Sequence, residues 1–88
     1  MPRMVLTHQV VDIERWLKGK EERAAAIVGF GSDVRDHVAM DGSNQVAVSA
    51  MVEDIDGLQA MLASPPPEVA AQMESHGVLP PIVAYIEK

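Results

Sequence analysis

Histidine is the only side chain here whose ordinary titration falls near neutral pH, and the sequence has three: His8, His37 and His76. An imidazole can act as a general base, hold a ligand or bind a metal. Metal binding fails on spacing. No His-x-His or His-x3-His pair exists, and no histidine pair is flanked by carboxylates at ligand spacing. No metal site is expected. Nucleophile motifs are missing too, since there is no Gly-x-Ser-x-Gly and no cysteine. Gly29-Phe30-Gly31-Ser32 is glycine-rich, but it precedes a strand and offers no helix N-terminus to a phosphate.

Each histidine has a chemical reading and a plain one. His8 shares a strand face with Met4 and Leu6, where a neutral imidazole could serve as a base or ligand contact, or simply bond a backbone carbonyl. His37 lies between Asp36 and Val38 on an expected edge strand. Adjacent strand residues point to opposite faces, so His37 and Asp36 form no dyad. His76 precedes Gly77 at a helix C-terminus, where the dipole and the last carbonyls account for it. Trp16 is the sole tryptophan and anchors the first helix on the sheet, its indole N–H expected to find a partner at the edge. Tyr85 could offer a phenol to a ligand or close a sheet edge. Six methionines suit an adaptable apolar interior. The candidate pocket residues are His8, Trp16, Met51 and Tyr85, with His8 and Tyr85 the candidates for catalysis.

These residues need elements to hold them. Met4 to Val10 alternate as a strand over about 3–10. Asp12 then caps an amphipathic helix over roughly 12–26, with Ile13, Trp16, Leu17, Lys20, Ala24 and Ile27 on one face. Gly19 lies inside it, and Gly29 and Gly31 end it. A second strand runs from Val34 to Met40, and Asp41-Gly42-Ser43-Asn44 turns into a third, Gln45 to Glu53. That third strand is apolar or small on both faces: Val46, Val48, Ala50 and Val52 on one, Ala47, Ser49 and Met51 on the other. A solvated face would carry large polar residues instead. The domain's own helices cover one face, and a partner sheet is the simplest cover for the other.

Asp54 or Asp56 caps a further helix, broken at Ser64-Pro65-Pro66-Pro67, where Ser64 can cap its continuation over about 66–76. Val69, Ala70 and Met73 face inward there. Pro80-Pro81 leads into a last strand, Ile82 to Glu87. The order is strand, helix, strand, strand, broken helix, strand. That is a split βαβ plan: an α+β fold with a four-stranded antiparallel sheet and the helices on one face.

Residues 1–88 make one domain, too short to bury a large core and without a disulfide to staple it, so association with another copy is the natural source of buried area. The formal charge is -6, from 13 acidic and 7 basic residues. Arg15, Lys18, Lys20 and Arg23 are interleaved with Glu14, Glu21 and Glu22, which reads as a solvated helix face and not a phosphate track. Neither nucleic acid nor a membrane is an expected partner. Met1 to His8 do not form a signal peptide and no apolar run spans a bilayer, so the expected location is the cytoplasm.

Val10-Val11-Asp12 with Trp16, Glu53-Asp54, Leu62-Ala63-Ser64-Pro65, Met73, His76-Gly77-Val78 and Pro80-Pro81 carry a resemblance along nearly the whole chain. As a set they resemble small, largely uncharacterised bacterial proteins of the dimeric α+β-barrel superfamily, often called cyclase-like. The resemblance implies two ferredoxin-like sheets packed face to face across a two-fold axis; no bound cofactor is expected. Relatives in that superfamily include cofactor-free monooxygenases acting on polyketide aromatics, muconolactone-isomerase-like enzymes, haem-degrading enzymes and stress-response proteins. No catalytic motif carries over position by position. The expectation is a homodimer that binds a small hydrophobic molecule. The alternative is a cofactor-free monooxygenase, isomerase or cyclase acting on a hydrophobic aromatic or lactone, with His8, Trp16 and Tyr85 in its pocket.

Overall fold

The structure, a computed structural model, describes residues 2–88. Its elements run β1 (Arg3–Val10), α1 (Ile13–Lys18), α2 (Lys20–Ile27), β2 (Gly31–Val38), β3 (Gln45–Val52), α3 (Ile55–Ala63), α4 (Pro67–Ser75) and β4 (Val78–Ile86). The strands form one antiparallel sheet in the order β2-β3-β1-β4. This is the ferredoxin-like α+β fold.

Strand alternation sorts the sheet into two faces. Met4, Leu6 and Val10 of β1, with Val46, Val48, Ala50 and Val52 of β3, are buried with Trp16, Ile27 and Leu58 from the helices. The opposite face carries Val5, Thr7, Ala47, Ser49 and Met51, paired across the strands, flanked by Val83 and Tyr85 of β4. Leu79, Val83 and Tyr85 are exposed there. Among the described residues, no helix covers this face.

The single helix expected over 12–26 is two. Asp12 caps α1 as expected, its Oδ1 accepting from the Glu14 N–H at 3.1 Å. The helix then breaks at Gly19, the C-cap of α1 and N-cap of α2, and a Cβ at that position would collide with the imidazole of His76. Asp54, not Asp56, caps α3 by accepting from the Gly57 N–H. Ser64 does not cap α4. Pro66 occupies that position without a side-chain bond, and Pro67 starts the helix.

Two strand boundaries also differ from expectation. β2 begins at Gly31 and ends at Val38, so Met40 lies beyond it and is fully exposed. A bulge between Ser32 and Arg35 inserts one extra residue, with Asp33 at φ 55, a backbone region that aspartate tolerates better than most. That extra residue inverts the alternation and turns Asp36 toward the helices. β4 begins at Val78, four residues before its expected start, and includes Pro80 and Pro81 across a register shift opposite Thr7 and Gln9. β4 is an edge strand, where missing N–H groups are tolerated.

Candidate functional site between the sheet and the helices

A partly open cavity of about 70 Å³ lies between the helix-side sheet face and α2, α3 and α4. Leu6, His8 and Val48 contribute from the sheet, Ile27, Leu58, Met61 and Met73 from the helices. Its polar contributors are His8, Arg23, Gln72 and His76. Pockets for drug-sized ligands span roughly 300–1,000 Å³, so this one, at about 70 Å³, has room for a very small molecule only.

Periodicity places His8 on the helix side with Leu6 and Val10, and its ring meets Trp16 edge-on at 6.0 Å between centroids. Its Nδ1 lies 3.0 Å from the Gln9 carbonyl oxygen. Burial lowers its pKa, the Gln9 bond opposes that, and the nearby Arg23 charge lowers it further.

Arg23 organises the polar end. It is 9% exposed, which corrects the reading of its charge run as wholly solvated. Its guanidinium stacks 4.0 Å from the Trp16 ring centroid and pairs with both oxygens of Asp36 at 3.3 Å. Nη1 also donates to the Trp16 carbonyl at 2.6 Å and to His76 Nδ1 at 3.3 Å. Arg15 of the same run stays exposed and reaches across the surface to α4, donating to the Ser75 and Glu74 carbonyls.

His76 caps α4 as expected, its backbone N–H bonded to the Gln72 carbonyl at 2.9 Å, but its ring does more than cap. The imidazole is 4% exposed and fills the space left by Gly19. Its Nε2 is buried without a hydrogen-bond partner, and Glu22 Oε2 stands 3.7 Å away. Burial lowers the His76 pKa first, the Arg23 charge second, while Glu22 acts in the opposite direction. Trp16 is fully buried, yet its indole N–H has no partner among the described residues, contrary to the edge bond expected for it.

Of the four residues expected to share a pocket, only His8 lines this cavity; Trp16 meets the His8 ring but is sealed in the core and does not line it. Met51 pairs with Arg3 on the uncovered sheet face, and Tyr85, 57% exposed, lies on that same face opposite Val5. Neither lines the cavity with His8. His37 is exposed on the uncovered face, where its Nε2 lies 2.9 Å from Ser49 Oγ. Arg23 and Asp36 were missed as site residues. The signal for Arg23 was present: it stands seven residues after Trp16 and four before Ile27, on the same helical stripe. Among the described residues, no group of three or more His, Asp and Glu side chains could hold a metal ion. No helix is long and apolar enough to cross a membrane among those residues.

No protein-family model matches the chain, and no curated protein matches it. Solved structures do share its fold. A protein from Bordetella bronchiseptica, provisionally named an antibiotic biosynthesis monooxygenase, is similar with a TM-score of 0.67 and 9% identity, over 99% of this chain and 94% of that one. SnoaB, a cofactor-independent oxygenase from Streptomyces nogalater, is similar with a TM-score of 0.61 and 16% identity, over 99% and 90%. A dimeric ferredoxin-like protein from an uncultured marine organism is similar with a TM-score of 0.60 and 11% identity, over 99% and 96%. At such identities the likeness is one of fold.

Proposed function

We propose that the chain works as a homodimer in which each protomer binds a small, mainly apolar molecule in the cavity beneath α2, α3 and α4. The observation that carries the ligand reading is the cavity itself, apolar over most of its wall and bordered by two buried or half-buried imidazoles. A ligand there gains from apolar contact and is oriented by few polar groups. The homodimer reading rests on the uncovered sheet face, where Val5, Ala47, Met51, Val83 and Tyr85 have no helix over them. Native mass spectrometry of freshly purified protein tests both at once. The expected result is a dimer retaining a small organic molecule. A monomer removes the first element of the reading, and a dimer that neither retains nor takes up any apolar compound removes the second.

A second reading is cofactor-free oxygenation of a hydrophobic aromatic at the same cavity. It is favoured by the structural likeness to SnoaB and by the position of His8 on the cavity wall, where a neutral imidazole can accept a proton from a weakly acidic substrate. Oxygen uptake with an oxidisable phenol, compared between the wild type and His8→Phe, separates this from simple binding. Uptake that depends on His8 supports catalysis; binding without uptake supports the first reading.

A further inference from the structure

We propose that α3 and α4 form a flap whose Leu62 divides the apolar interior in two. Lifting the flap joins the halves into a site for an uncharged molecule the size of one aromatic ring. This rests on the ligand-site reading above and names the size class of the ligand.

A second hollow, of about 80 Å³, lies beside the first on the helix side of the sheet, where Met4, Val52 and Ile55 line it. Leu58 and Leu62 line both hollows and form their common wall. Each is smaller than the cavity of roughly 150 Å³ that takes up benzene in an apolar protein core. Leu58 is 3% exposed and fixed in the core, whereas Leu62 is only half-buried. Withdrawing Leu62 therefore opens one hollow to the other.

The segment that carries Leu62 is lightly held. Among the described residues, none between Leu58 and His76 is buried. Its turn and cap bonds stay within it: the Ser64 N–H donates to the Ala60 carbonyl, and the Val69 and Ala70 N–H groups donate to that of Pro66. Its side-chain bonds to the body gather at the far end of α4. There Arg15 donates to the Glu74 and Ser75 carbonyls at 2.9 and 2.7 Å, and Gln72 Nε2 lies 3.4 Å from Glu22 Oε2. His76 is the post at that end, its ring seated against Gly19. Met61 and Leu62 pack on the core while partly exposed, with the proline break behind them. A segment with so little buried surface, bonded to the body at one end, opens locally without global unfolding.

Xenon and benzene titrated into the intact protein, followed by methyl NMR, test the flap. Xenon fits the closed hollows, and benzene enters only as the flap lifts. Val48 lines the first hollow and Val52 the second, so benzene should shift both with one dissociation constant. Leu62→Ala removes the divider, and benzene, no longer waiting on an opening, should bind about tenfold tighter. Hydrogen exchange of the unaltered protein needs no variant: α4 amides should exchange about tenfold faster than those of β1 and β3, and benzene should slow them. Exchange of α4 in step with β1 and β3, a benzene shift at only one of the two valines, or an unaltered affinity in Leu62→Ala overturns the inference. Xenon bound with benzene excluded also overturns it while leaving the cavity a ligand site, whereas exclusion of both overturns both.

Discussion

The guanidinium of Arg23 lies 4.0 Å from the centroid of the Trp16 ring, so a buried charge rests on the largest buried aromatic face of the protein. Asp36 completes the arrangement from the sheet, its side chain 3% exposed. Stacking on an indole and a two-pronged ion pair are both guanidinium functions that an ammonium group cannot reproduce. This cluster joins α1, α2 and β2 at one end of the cavity.

Breaking the pair should therefore be costly. Arg23→Ala leaves the Asp36 carboxylate buried without its cation, and urea unfolding should show a loss of about 3–5 kcal/mol. Arg23→Met combined with Asp36→Leu should be less damaging than Arg23→Ala, because it leaves no orphaned charge. If the double variant is the worse of the two, the pair contributes more than mutual neutralisation.

Gly19→Ala should reverse the usual helix preference. Alanine normally improves a helix by roughly 0.5–1 kcal/mol over glycine. Here the added Cβ meets the His76 ring, and the expected result is a loss of about 1–3 kcal/mol. In a His76→Ala background most of that loss should disappear, a coupling that a double-mutant cycle reads directly.

Acidification should weaken the fold before the carboxylates titrate. His8 and His76 both have pKa values below 6.5 in the folded state, chiefly through burial. Above 6.5 both states are neutral there and the groups add no pH dependence. As the pH falls below it, the unfolded chain binds protons first, so stability drops until the folded pKa values are passed. Thermal midpoints measured from about pH 7.5 to about pH 5.5 should decline, and the slope should flatten in a His8→Gln/His76→Gln variant.

The uncovered sheet face makes a separate claim. Val83 is 43% exposed on that face, opposite Thr7. Val83→Glu should convert a dimer to a monomer in sedimentation equilibrium while leaving the far-ultraviolet circular dichroism unchanged. A dimer indifferent to this charge would place the interface elsewhere.

Strand positions were legible in the sequence wherever alternation was unbroken. β1 fell where Met4 to Val10 alternate, and the two-sided character of β3 marked the face that the helices leave open. The features missed depend on contacts distant in sequence. Gly19 leaves room for the ring of His76, fifty-seven positions away, a contact that no local propensity records. The β2 bulge at Asp33 turns Asp36 inward, and Asp36 is the residue that makes burial of Arg23 tolerable. A reading by charge alone put Arg23 in water. Its stripe position between Trp16 and Ile27 pointed inward instead. Tyr85 and Met51 were grouped with His8 on residue type, although strand register sets them on the other side of the sheet.

The most direct test of the cavity as the ligand site is a methyl NMR titration with dissolved xenon, an apolar probe small enough for about 70 Å³. Leu6, Val48 and Ile82 line the cavity, whereas Val5 and Val83 lie on the uncovered face. The account expects saturable shifts at Leu6, Val48 and Ile82, with Val5 and Val83 unmoved. Shifts confined to Val5 and Val83, or none at saturating ligand, would contradict it.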